Sequence, residues 1–134
     1  MRYLIGEVAE KTGLSVPTLR YYEKEGIMPP VKRSESGLRE YDDSDVDWLK
    51  FACCLRETGM TIAEMKTFAS LTLEGAGTLD ERLDRLQGQA ERVQAQIHRL
   101  TGHLGMIEHK MSSLQENDPF AALTVVPKND GLSE

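Results

Sequence analysis

Apolar positions near the start of the chain recur at helical spacing. Ile5, Val8 and Ala9 share one stripe, the pattern breaks at Gly13-Leu14-Ser15, and a second helix restarts with Pro17 in its first turn. Proline is tolerated there because the first N–H groups of a helix have no internal partner. A short glycine-containing turn between two short helices is the spacing of a helix–turn–helix, which offers its second helix to the major groove. The string VKRSESGLREY at 31–41 follows at once. It is short, basic at Lys32-Arg33 and turns at Ser36-Gly37, which predicts a small β-wing able to reach a nucleic-acid backbone. Residues 42–72 predict two more helices. Asp43 or Ser44 is expected to cap the first and Gly59 to end it, while Thr61 caps the second with Glu64 at the capping-box position. Residues 73–78, rich in glycine, predict a hinge loop.

The most regular pattern lies beyond the hinge. Leu79, Leu83, Leu86, Ala90, Val93, Ile97, Leu100, Leu104, Ile107, Met111 and Leu114 alternate steps of four and three without a slip. This is the a/d seam of a coiled coil over 79–114, with Gly88, Gly102 and Gly105 outside it. So narrow a seam on so long a helix is better explained by a second helix than by packing within a small domain. Leu83, Leu86, Val93, Ile97, Leu100, Leu104 and Ile107 are therefore the expected homodimer interface. Heptads alone leave the helix orientation open. Residues 115–134, with Pro119, Pro127 and Gly131, read as a polar, flexible tail. The expected architecture is mainly α: a winged helix–turn–helix domain over 1–72, the hinge, then the dimerisation helix.

Charge changes the picture locally. The chain of 134 residues has a formal net charge of −6. Residues 1–41 nevertheless carry seven Lys/Arg against six Glu, and the acidic excess belongs to the rest. The balance of the reading head, not the total, is what a polyanionic partner meets. No apolar run approaches the ~20 residues of a membrane span, and Met1-Arg2-Tyr3-Leu4-Ile5 runs straight into helix signals without a secretion pattern. A cytoplasmic location without membrane association is expected. Adjacent Cys53 and Cys54 are poorly placed to bridge each other. There is no nucleophile–base pair, phosphate loop or metal cluster in the sequence, so neither an enzyme nor a cofactor is expected. His98, His103 and His109 are five and six residues apart, not the four that places two imidazoles on one helix face.

SVPTLRYYEKEGIMPP, RSESGLREY and DVDWLKFACCLRETGMTIAEMKTFASL, followed by a long terminal coil, together resemble MerR-type transcription regulators over about residues 3–114. Cys54 in its CysLeuArg-x-ThrGlyMet context, with LysThrPheAla and ThrLeuAspGluArgLeu after it, is most similar to the short NmlR/AdhR-like branch. The resemblance implies a winged helix–turn–helix and an antiparallel coiled-coil homodimer on a palindromic element of double-stranded promoter DNA. It also implies that the activated dimer distorts an overlong spacer so that RNA polymerase can engage both promoter hexamers. Bending and untwisting cost a few kcal/mol, which protein–DNA contacts supply.

The implied DNA-binding residues are Thr18, Arg20, Tyr21 and Tyr22 on the second helix, with Lys32, Arg33 and Arg39 in the wing. Arg20 can meet a guanine edge or clamp a phosphate, and a tyrosine hydroxyl can donate to phosphate. Three consecutive helical positions cannot all face one way, so one of Arg20, Tyr21 and Tyr22 should face the core; for Tyr22 the core and the DNA readings stay open. Leu38 departs from the family pattern, where an aromatic often stands, and cannot hydrogen-bond phosphate. The branch implies that Cys54 is the sensor thiol for aldehydes or other electrophiles. On the helical wheel Cys53 joins the apolar arc, while Cys54 sits one turn after Lys50; a nearby ammonium favours a thiolate and Asp47 and Glu57 oppose it, so the balance stays open. A regulator answering a non-covalent ligand and a coiled-coil interaction module are the competing readings.

Overall fold

The computed structural model of the chain describes residues 1–117; the tail expected over 115–134 lies outside them from residue 118 onward. The element order is β1 (Arg2–Tyr3), α1 (Ile5–Thr12), α2 (Val16–Glu25), β2 (Lys32–Arg33), β3 (Arg39–Asp42), α3 (Asp43–Glu57), α4 (Ile62–Glu74) and α5 (Leu79–Asn117). Met1–Ala90 form one compact unit and the remainder of α5 belongs to a second.

Local chemistry accounts for each boundary in the first unit. Gly13 ends α1 in the left-handed region at φ 76°, and Ser15 accepts a hydrogen bond from Thr18 N at 3.2 Å to open α2. The turn between them is therefore the one the sequence predicts. Gly26, also at φ 76°, closes α2. Asp42, rather than Asp43 or Ser44, caps α3. It is the last, extended residue of β3, so its carboxylate reaches back over the first turn to accept from Asp45 N at 2.9 Å, while Asp45 accepts from Asp42 N at 3.0 Å. The Ser44 hydroxyl instead supports the cap, donating to Asp42 at 2.7 Å. Thr61 and Glu64 form the expected reciprocal box on α4.

A three-stranded antiparallel sheet of order β1-β3-β2 joins the wing to the N-terminus. β1 is invisible to periodicity because two residues carry no pattern; pairing of Tyr3 with Tyr41 makes it a strand. Val8, Leu19, Tyr22, Ile27, Tyr41, Leu49 and Met65 belong to the core that joins α1, α2, the sheet, α3 and α4. Trp48 donates its indole N–H to Ile27 O at 2.9 Å and stacks on Phe68.

The base of α5 is part of this unit. Thr78 is buried, donates from Oγ1 to Leu71 O or Gly75 O, both at 2.8 Å, and accepts from Arg82 Nε at 3.0 Å. Gln89, 4% exposed, donates to Thr58 Oγ1 at 2.8 Å, and Leu86 packs against the domain core. Leu86, which the heptad places in the expected seam, is half-buried against its own domain, on which the first turns of α5 are docked. In the second unit α5 continues to Asn117 with Ile97, Leu100, Leu104 and Ile107 each at least 46% exposed.

Candidate nucleic-acid interface

The two faces of α2 are sharply different. Leu19 and Tyr22 point into the core, and Pro17, Arg20, Tyr21 and Lys24 form an exposed stripe at helical spacing. The three consecutive residues therefore separate as helical geometry demands: Arg20 and Tyr21 face outward, Tyr22 inward. Tyr22 is 5% exposed, and burial raises its pKa. Its ring is a core aromatic, which corrects its place among the DNA-facing residues. Thr18 is half-buried and its hydroxyl lies 2.8 Å from Ser15 Oγ, so its first duty is to the helix start. Lys24 belongs to no motif, yet one turn after Arg20 it completes the basic edge of the stripe; its i, i+4 spacing is the sequence signal for it.

The wing separates its charges by face. Residues opposite one another in an antiparallel pair share a face. On one face Arg2 pairs with Glu40 at 3.5 Å and Lys32 with Asp42 at 4.0 Å, a ladder of alternating sign. The Lys32 side chain remains 69% exposed. On the other face Arg33 stands opposite Arg39, a like-charged pair that is unfavourable without an anion beside it. Two devices relieve it. Arg33 donates to Gly37 O at 2.9 Å, bracing the turn that Gly37 makes at φ 85°, and Arg39 forms an ion pair with Glu23 of α2. Arg39, a candidate DNA-binding residue of the wing, is thus engaged with a carboxylate in the free protein. Leu38 is exposed beside this turn.

Asp42, at the junction of wing and α3, is held at a pKa of about 2 by the Ser44 hydroxyl and the Asp45 backbone N–H. Cys54 is exposed on α3 and Cys53 half-buried, as their wheel positions predict. Among the described residues there is no group of three metal-ligating side chains, and no helix is long and apolar enough to cross a membrane.

A glycine-punctuated helix pair with an exposed cationic stripe on the second helix, buttressed by a two-stranded wing, defines a winged helix–turn–helix DNA-binding domain. Residues 3–71 match the model of the MerR HTH family regulatory proteins, and residues 46–104 that of the MerR DNA-binding region. The chain belongs to the MerR family of DNA-binding transcriptional regulators. It is 38% identical over 126 residues to an uncharacterized HTH-type transcriptional regulator of Haemophilus influenzae, covering 94% of this chain and 93% of that protein. AdhR of Bacillus subtilis is 40% identical over 89 residues, 66% of this chain and 64% of AdhR. Among solved structures, HiNmlR, a MerR family regulator lacking the sensor domain and bound to promoter DNA, superposes with a TM-score of 0.80 at 40% identity, covering 87% of this chain and 92% of HiNmlR. These relatives are regulators, not enzymes.

Proposed function

We propose that the chain binds double-stranded promoter DNA as a homodimer and controls RNA polymerase by distorting an overlong promoter spacer, in response to reactive electrophiles at Cys54. The observation that carries the DNA reading is the exposed stripe of Arg20, Tyr21 and Lys24 on a helix whose other face is locked into the core. Arg20 meets a base edge or phosphate, Tyr21 donates to phosphate, and Lys32, Arg33 and Arg39 meet the backbone from the wing. Thr18 holds the start of α2, where the first N–H groups point toward an anion. The likeness to HiNmlR, whose structure contains promoter DNA, supports the same reading.

Dimerisation is assigned to the apolar seam of α5. Leu83, Val93, Ile97, Leu100, Leu104 and Ile107 lie on one heptad stripe, and all except Val93 are exposed. So long an apolar stripe left in water is unfavourable, and a second copy supplies the matching one. A dimer presents two heads to a palindrome, and the cost of deforming the DNA between them becomes the control point.

Cys54 is exposed on the helix that follows the wing directly, and its carbonyl accepts the Thr58 N–H at the end of that helix. Bulk added to its sulfur biases the dimer between two arrangements of its heads. The work is cytoplasmic, where promoter DNA is. The test is a reporter transcribed from the regulated promoter, with and without aldehyde or nitrosothiol. Cys54→Ser is expected to keep DNA binding and lose the response, whereas Cys53→Ser retains it. A response that survives replacement of both cysteines rejects thiol sensing and leaves a non-covalent ligand.

A further inference from the structure

Glu23 bonds Arg39, and its charge also acts on a second group of the same strand face, the Tyr41 phenol. Arg39 and Tyr41 are alternate residues of β3 and so project from the same face. Arg39 Nε donates to Glu23 Oε1. Tyr41 is fully buried in the core with Leu19, one helical turn before Glu23. Its hydroxyl is buried and has no hydrogen-bond partner among the described residues. A buried hydroxyl without a partner is uncommon in folded proteins and unfavourable, so it calls for a physical reason. Burial raises the Tyr41 pKa first and the negative charge of Glu23 raises it next, while Arg39 and Arg20 lower it, so the phenol lies within the field of this charge cluster.

We propose that the Tyr41 hydroxyl is the standby donor for Glu23, engaged when Arg39 leaves that carboxylate for a DNA phosphate. The inference rests on the assignment of Arg39 to the DNA backbone. In the free protein Arg39 neutralises Glu23 and relieves its own repulsion from Arg33. When phosphate offers Arg39 a stronger anion, Glu23 would be left charged and unpaired, with only 19% of its side chain exposed and a polyanion nearby. A phenol O–H donated to the carboxylate offsets that cost. Tyr41 then acts through Glu23 without touching DNA. It is a positioning residue whose orphan state belongs to the free protein alone.

The test is a double-mutant cycle on the full chain, with a short duplex selected by the wild-type chain from a random-sequence pool. Tyr41→Phe retains the ring and removes the oxygen. The free protein should melt at the same or a higher temperature, while DNA affinity falls about tenfold, the loss of one charge-assisted hydrogen bond. In an Arg39→Ala background the same substitution should leave affinity unchanged, because no exchange occurs. If Arg39→Ala binds like the wild type, the assignment of Arg39 to DNA fails and takes the exchange with it. If Arg39→Ala weakens binding but Tyr41→Phe costs nothing, or costs the same in both backgrounds, the exchange alone is overturned. Glu23→Gln keeps the question open to measurement should Tyr41→Phe not fold. With no carboxylate to strand and Arg39 freed, it should bind the duplex several-fold more tightly; unchanged or weaker binding overturns the proposal.

Discussion

Thr78→Val tests whether the base of α5 is an integral part of the DNA-binding unit. Valine is nearly isosteric, so the substitution removes the hydroxyl and leaves no cavity. The wild-type hydroxyl has one proton, which it gives to either Leu71 O or Gly75 O, and it accepts from Arg82 Nε. Two hydrogen bonds are therefore lost. The former acceptors keep partners, Leu71 O from Gly75 N at 3.2 Å and Gly75 O from Thr78 N at 3.1 Å; Arg82 Nε loses its acceptor, but its side chain is half-exposed and Nη2 still reaches Gly75 O at 3.4 Å. The cost should therefore follow the net value of about 1 kcal/mol per bond, giving roughly 2 kcal/mol, and not the larger penalty of stranded groups. For a unit of this size that is a fall of roughly 8–16 °C in Tm. Circular-dichroism melts at several protein concentrations separate this from dimer dissociation, which depends on concentration. Thr78→Ser, which retains the hydroxyl, should stay within about 1 kcal/mol of the wild type. A Thr78→Val protein as stable as the wild type would refute the reasoning, and α5 would then be only loosely attached to the head.

Arg20→Ala should weaken binding to a selected duplex by about 1–3 kcal/mol and relax its sequence preference; unchanged affinity in a competition titration would remove Arg20 from the interface. Leu100→Glu puts a charge into the exposed seam of α5 and should yield monomers by sedimentation, whereas a persistent dimer would place the interface elsewhere. Asp42→Asn tests the cap of α3. The Asp42 pKa is lowered from 3.8 to about 2, so its ionised form stabilises the fold fully above pH 3.8, and the contribution fades as pH falls through about 2. Asp45, whose pKa burial raises, partly opposes it. The wild type's advantage over Asp42→Asn in urea melts should be present at neutral pH and vanish in strong acid; an advantage independent of pH would show that the charge of the cap is immaterial.

Much of this protein is determined within short stretches of its sequence. Gly13 and Ser15 end one helix and begin the next through their own backbone freedom and side-chain oxygen, so the turn between α1 and α2 is legible from three residues. Thr61 with Glu64 and the wing turn at Gly37 are local in the same sense, and the heptad stripe of α5 needs only periodicity. The tertiary structure decided what depends on partners distant in sequence. Helical spacing separates Tyr21 from Tyr22, but it is the core around Leu19 and Tyr41 that fixes which face of α2 is buried. Arg39 is a wing cation by motif, but Glu23, sixteen residues earlier, occupies it. Leu86 obeys the heptad as well as Leu83 does, yet the docked base of α5 claims it for the domain core while Leu83 stays 56% exposed. The physical reason is the same in each case. Periodicity and capping act through bonds a few residues apart, whereas burial and ion pairing depend on which surfaces the fold brings together.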